Sequence, residues 1–389
     1  MTPESLDRDT ASASSGPAAP PSTAAAGNTF NALLGHMVTA GASDMFLTVG
    51  AVPTFKVGGR MAPLRLPPLA SGVVRQFAEA IMSPEDLLGF QKRLAHDMAL
   101  HLDGQGRFRV NVYMQRGEVS MVVRHVRDKL PSREQLQLPP VLEQLALLRQ
   151  GLVLVVGAAG SGKSTTVASM LDHRIRTTPG HVVTIEDPIE FLHAHHRSIV
   201  DQREVGLDTP SFGDALRDAM REAPDVIMIG EVRDEDTLRH ALHYADSAHL
   251  CITTLHANNA NQTIDRILNY FPEAARRRVL MDLSQNLKGV VALRLIEGAQ
   301  GGRVPASEVM LQSSYISDLI AKGEIDQIKQ AISRSESLGM QTFDQSLHDL
   351  YRRKLITQAQ ALEHADSRTD LSLRIRLSGG NPSAGPGLA

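Results

Sequence analysis

The chain has 389 residues, 42 % of them hydrophobic, enough to bury sizeable cores in two or three domains. Its 40 basic and 43 acidic side chains nearly cancel, so no general electrostatic footprint for nucleic acid or a membrane surface is present. The single cysteine, Cys251, excludes an intrachain disulfide and an all-cysteine zinc site and reads as a packed strand residue. No basic start leads into an apolar stretch and no apolar run reaches about 18 residues, so secretion and membrane insertion are not expected and the cytoplasm is the expected location.

Residues 1–28 are rich in Ala, Ser, Thr, Pro and Gly and read as a disordered tail. Residues 29–130 read as a small α+β domain, with strands at 45–49 and 52–57, a helix at 73–81, and a β-hairpin of 107–114 and 119–126 about Gln115-Arg116-Gly117-Glu118. Pro131, Pro139 and Pro140 mark a linker, 131–150, whose end (142–148) is a short helix.

From 151 the pattern alternates. The run 152–156 has strand length and β-branched content, and it feeds Gly157-Ala158-Ala159-Gly160-Ser161-Gly162-Lys163-Ser164, a full G-x-x-x-x-G-K-[ST] phosphate loop followed by Thr165 and a helix over 163–176. Glycines let backbone N–H groups point at phosphate oxygens, the helix N-terminus adds positive potential, Lys163 suits the β- and γ-phosphates and Ser164 suits Mg2+. The spacing therefore predicts an ATP and Mg2+ site.

Further buried parallel strands are predicted at 182–185, 226–229 and 250–254, with helices at 214–222, 236–245 and 261–270, giving a doubly wound sheet whose ligand crevice lies at the strands' carboxyl ends. Each strand ends in polar residues. The first runs into Glu186-Asp187-Pro188-Ile189-Glu190, a carboxylate cluster that needs Mg2+ or solvent beside a triphosphate, or else is a solvated acidic turn. The second ends at Glu231, the Walker B shape, which binds Mg2+ directly or through water or else caps the next helix; Asp234 reads as a helix cap. The third leads to His256, which can reach a γ-phosphate or link it to a neighbouring element, or be structural. His193, His195 and His196 read as a solvated loop. Beyond about 304 the chain turns helical (315–321, 325–333, 343–352, 357–364), and 369–389 reads as a flexible tail, Gly/Pro/Ser-rich from about Gly379.

The phosphate loop, Thr184-Ile185-Glu186-Asp187-Pro188-Ile189-Glu190-Phe191, the run Asp201-Gln202-Arg203-Glu204-Val205-Gly206, Ile229-Gly230-Glu231-Val232-Arg233-Asp234 and Thr253-Thr254-Leu255-His256 together resemble the secretion ATPases, the ring motors of type IV pili and type II secretion. Within them the chain is similar to the PilT/PilU retraction branch over about residues 30–368. The resemblance implies a PAS-like N-terminal domain and a RecA-like P-loop NTPase domain (151–368) carrying C-terminal helices. It also implies that Glu190 activates the attacking water, that Glu231 serves Mg2+, and that His249 and His256 form a histidine box. Arginines of the N-terminal domain lie near the nucleotide in that family; Arg107, Arg109, Arg116 and Arg124 are the candidates, Arg124 first. The implied assembly is a homohexamer, peripheral at the inner-membrane base of the pilus, with an inner-membrane platform protein and a PilT-like retraction ATPase as partners and no nucleic acid.

Two departures refine this. One cysteine cannot build the all-cysteine zinc insertion of the assembly motors, and Tyr315-Ile316-Ser317-Asp318-Leu319-Ile320 carries Ser317 where the PilT motif has Arg, which points to the accessory, PilU-like type. Two other classes stay open: a partner-binding scaffold with an idle nucleotide site, and a ring that translocates DNA or RNA.

Overall fold

The structure, a computed structural model, describes residues 23–126 and 130–379. The chain divides into two compact units with the boundary after Val126. Residues 1–22 and 380–389, where much of the two expected tails falls, lie outside the described residues.

The first unit runs α1 (Thr23–Thr39), β1 (Asp44–Thr48), β2 (Thr54–Val57), β3 (Arg60–Pro63), α2 (Val73–Ile81), α3 (Pro84–Arg93), β4 (Ala95–Leu102), β5 (Gly106–Gln115) and β6 (Glu118–Val126). Helix α1 corrects the tail expected to residue 28. Ala26, Phe30, Leu33, Leu34 and Met37 recur at helical spacing and all are buried, so tertiary packing fixes a segment whose composition reads as loose. The strands form an antiparallel sheet in the order β3-β2-β1-β6-β5-β4. Alternate residues Met45 and Leu47, Phe108, Val110 and Val112, and Val119, Met121 and Val123 enter the core with α1 and α2. The opposite face therefore carries the cross-strand row Arg109, Arg124, Asp44, Lys56.

The second unit runs α4 (Val141–Ala146), β7 (Gly151–Gly157), α5 (Lys163–Thr177), β8 (Gly180–Glu186), β9 (Ser198–Glu204), α6 (Phe212–Ala219), β10 (Val226–Ile229), α7 (Glu235–Asp246), β11 (Leu250–Leu255), α8 (Ala260–Tyr270), α9 (Glu273–Asn286), β12 (Leu287–Glu297), β13 (Arg303–Leu311), α10 (Ser314–Lys322), α11 (Ile328–Arg334), α12 (Phe343–Arg352), α13 (Gln358–Glu363) and α14 (Arg368–Gly379). The sheet order is β13-β12-β7-β11-β10-β8-β9, parallel throughout except for the edge strand β13. Every residue of β7 is buried because both faces are covered. Val153 and Val155 meet the core under α4 and α5, while Leu152, Leu154 and Val156 meet the core under α6, α7, α8 and the C-terminal helices.

Several elements form where the sequence expectation has none: β3, α3 and β4 in the first unit, and β9, α9 and the hairpin β12–β13 in the second; α14 forms across residues 368–379, most of it expected to be tail. Leu371 and Ile375, one helical turn apart, bury there and dock α14 on the domain core. Cys251 is a buried residue of β11, as expected, and burial pushes its thiol well above the usual range. No helix among the described residues is long and apolar enough to cross a membrane.

Candidate nucleotide site

Parallel pairing brings the carboxyl ends of β7, β8, β10 and β11 to one edge: Leu255 lies beside Val156, Ile229 beside Thr253, and Ile185 beside Ile229. The phosphate loop follows β7 there. Gly157 must be glycine, because its φ is +154° and a Cβ would stand 2.7 Å from the Leu293 carbonyl oxygen. Gly162, at φ +95°, opens α5 with no side-chain cap. On the same unit, α6, α7 and α8 are capped by Ser211, Asp234 and Asn259. The first amides of α5 are thus left for an anion, as the loop reading requires. Asp234 is the helix cap expected of it.

Lys163 is 9 % exposed and sits at the centre. Its Nζ donates to the carbonyls of Gly157 (2.9 Å) and Ala158 (3.0 Å) and lies 3.5 Å from Nδ1 of His256. Burial lowers its hold on the proton, and the charges of Glu231 and Glu190 oppose that effect. His256 Nε2 is 2.9 Å from Glu231 Oε1, and Arg233 Nε donates to Glu231 Oε2 at 2.9 Å. These partners assign the neutral ring: Nε2–H donates to the carboxylate and Nδ1 accepts from the ammonium. The bond from Arg233 to Glu231 raises that guanidinium above its ordinary range.

A cavity of about 260 Å3 opens here between Lys163, Ser164, Glu190, Glu231 and His256. Ser164 opens α5 and faces the same space as the acids. A hydroxyl and several carboxylates are hard oxygen donors, so the donor set fits Mg2+. The remaining loop residues predicted for the site border neighbouring space: Ser161, Gly162 and Thr165 line a second cavity with Leu136, Leu138 and Leu295, while Gly157 and Ala158 face a third beside His256. Ala159 and Gly160 line the first.

The two flanking acids of the cluster after β8 are not equivalent. Glu190 is exposed at the cavity, whereas Glu186 is buried at the end of β8, its Oε1 accepting from Thr184 Oγ1 (2.7 Å) and Gln202 Nε2 (3.2 Å). Burial pushes the Glu186 carboxyl up to about 7. Gln202 also donates to the Phe191 carbonyl and accepts from the His193 N–H at 2.8 Å, and so folds the acidic loop back onto β9. This corrects the solvated-loop reading for His193, which lines the cavity and is pushed down to about 4 by burial. His195 accepts from the Val200 N–H, and His196 is exposed.

Not every candidate converges. His249 precedes β11 and its backbone carbonyl accepts the Gly151 N–H at the start of β7, at the opposite end of the strands from His256. The whole of β11 separates the two histidines, about 20 Å. In the other unit, Arg124 Nε pairs with Asp44 Oδ1 at 2.9 Å while its side chain stays 63 % exposed, and Arg109 pairs with Asp97 at 3.6 Å. Arg116 is exposed in the β5–β6 turn at φ +50°. Arg233 and Gln202 are the residues of this arrangement that the sequence reading did not select. Arg233 had a readable signal, a cation two residues beyond Glu231.

The Type II/IV secretion system protein family matches residues 22–310. The chain is 47 % identical over 349 residues to the type IV pilus ATPase PilU of Pseudomonas aeruginosa, covering 90 % of this chain and 91 % of that protein. It is 40 % identical over 333 residues to the type IV pilus retraction ATPase PilT of the same organism, covering 86 % and 97 %. Among solved structures it is similar to the crystal structure of the pilus retraction motor PilT with bound ADP, with a TM-score of 0.81 and 39 % identity over 88 % of this chain and 98 % of that one.

The buried carboxyl gives a pH signature. Folding holds a proton on Glu186 between its ordinary 4.5 and about 7, so this residue favours the folded state at low pH and loses that contribution as pH rises through 7. Glu186→Gln removes the effect. Relative to wild type, its stability in urea unfolding should rise by up to about 3 kcal/mol between pH 5 and pH 8, and a difference that stays flat with pH would contradict the assignment.

Proposed function

The chain belongs to the Type II/IV secretion system protein family, in its PilT/PilU retraction branch, and on that premise we propose that it is a Mg2+-dependent ATPase subunit of a homohexameric ring that drives or assists type IV pilus retraction. The observation that carries the proposal is the convergence of Lys163, Glu190, Glu231 and His256 from four strand ends on one cavity. An idle site needs no such arrangement, and this favours the enzyme over a scaffold.

The chain's own residues divide the work. The amides of the loop and of the first turn of α5 bind phosphate oxygens, and Lys163 exchanges its two loop carbonyls for the β- and γ-oxygens. Ser164 and Glu231 would hold Mg2+, which would neutralise phosphate charge. Glu190, exposed at the cavity, orients and accepts a proton from the attacking water; Glu186, enclosed by Thr184 and Gln202, anchors the loop that carries it. His256 reads the far phosphate and reports it to Glu231. The second cavity, with Leu136, Leu138 and Leu295 beside Thr165, suits the apolar faces of the base.

The assignment of the acids is tested by turnover and nucleotide binding on purified protein. Lys163→Ala should abolish detectable turnover and weaken ATP binding. Glu190→Gln should keep binding and lose hydrolysis by at least about 100-fold. Near-normal ATPase in Glu190→Gln means that another acid is the base.

We further propose that Arg124, with Arg116 in the adjacent turn, supplies positive charge to a neighbouring subunit's nucleotide, an effect worth about 10³ to 10⁵ in rate in related chemistry. The exposed side chain of Arg124, on the face of the small sheet opposite its core, supports this. In rings mixed from Arg124→Ala and Glu190→Gln subunits, some interfaces regain both residues and ATPase activity should recover; verified mixed rings without recovery contradict a trans role.

For the cellular role, Ser317 favours an accessory motor that acts at the inner-membrane platform protein together with a PilT-like ring. Labelled pili should retract poorly under load with this protein alone, and retract in a background of catalytically dead PilT only while Lys163 is intact. Full-force retraction without any PilT makes it an independent motor.

A further inference from the structure

Glu308 lies in the middle of β13 and is 1 % exposed. A carboxylate enclosed in this way is costly unless it has a partner, and a leucine would fill the same volume without that cost. Its Oε1 accepts from one donor, the backbone N–H of Ala260, at 2.9 Å. Among the described residues its Oε2 has no hydrogen-bond partner. The nearby cations are engaged elsewhere: Arg294 and Lys329 each donate to Asp366 at 2.7 Å. Its one direct tie is therefore to the first residue of α8.

That tie reaches the nucleotide site in few steps. Strand β11 ends at Leu255, paired with Val156 at the root of the phosphate loop, and α8 begins at Ala260. Between them lie His256, Ala257, Asn258 and Asn259. The Asn259 side chain accepts from the Gln262 N–H, and its carbonyl takes the Thr263 N–H and hydroxyl. The helix's own cap leaves the Ala260 amide unused, and Glu308 takes it. A short loop fixed at both ends has few conformations, and this one holds the His256 ring 2.9 Å from Glu231 and 3.5 Å from Lys163.

We propose that Glu308 is a positioning residue for the nucleotide site: by accepting the Ala260 N–H it clamps the far end of the loop that carries His256. The inference rests on the ATPase reading of that site. It assigns a role in turnover to an edge strand that lines none of the first cavity.

The test uses the full chain with two substitutions of similar volume. Glu308→Gln keeps a carbonyl oxygen for Ala260; Glu308→Leu removes the acceptor. Glu308→Leu should lower kcat about 10- to 100-fold, the cost of misplacing a group by about 1 Å, with KM for ATP within about threefold. Glu308→Gln should retain kcat within about threefold. Adding Glu308→Leu to His256→Ala should cost no more than about threefold further, because both act through one ring. Ala260→Pro breaks the same bond from the donor side at a helix position that tolerates proline, and should reproduce the loss if Glu308→Leu fails to fold. Hydrogen exchange of residues 256–263 without nucleotide should quicken about tenfold in Glu308→Leu and not in Glu308→Gln. Normal kcat in Glu308→Leu, an equal loss in Glu308→Gln, or multiplicative effects with His256→Ala would overturn the proposal. If wild type hydrolyses no ATP, the ATPase reading fails by itself, and exchange alone decides the clamp: equal exchange in both variants overturns it.

Discussion

The ammonium of Lys163 is the point on which the other parts of the site depend. It is nearly enclosed, so it must be compensated, and its partners come from separate segments: loop carbonyls at the end of β7, Glu190 from beyond β8, Glu231 from beyond β10 and His256 from beyond β11. Only a parallel sheet brings four such ends to one edge. A one-residue slip of β10 would turn its alternating side chains to the opposite faces and break the sequence that carries Glu231 to His256. The fold's requirement for buried strands and the site's requirement for converging charges are met by the same register.

The acids around that cation would repel one another if all were charged and unpaired, and each is relieved differently. Glu231 is held between His256 and Arg233, and Asp187 lies 3.6 Å from Arg233. Glu186 is relieved by holding a proton near neutral pH. Glu190 is relieved by solvent, and solvent access is also what a group that handles water needs. Position along one short loop thus gives neighbouring carboxylates different chemistry, through burial and not through residue type.

The parts legible in sequence are those whose signal is local. The phosphate loop, Glu231 and His256 each follow directly on an apolar strand, so strand and function are read together. The hairpin β12–β13 is not legible because Lys288, Gly289 and Arg294 interrupt its apolar run, and Arg294 is accommodated by residues far along the chain, stacking on Phe343 and donating to His364 and Asp366. Helix α9 hides behind Arg276-Arg277-Arg278, with Val279 and Leu283 its buried apolar anchors. The sheltering of His193 depends on Gln202, nine residues away on β9, and no spacing rule announces that contact. The separation of His249 from His256 follows from strand direction, since residues flanking one strand lie at opposite ends of the strands however near they are in sequence.

The central claim is that the Lys163 ammonium, parked on the loop's own carbonyls, is the group that transfers to the nucleotide. A high-resolution structure with a non-hydrolysable ATP analogue and Mg2+ tests it directly. The account predicts Nζ within about 3 Å of the β- and γ-phosphate oxygens, released from the carbonyls of Gly157 and Ala158, with Glu190 facing the γ-phosphate. A bound analogue with Nζ still on those two carbonyls, or phosphates seated away from the first turn of α5, would contradict it.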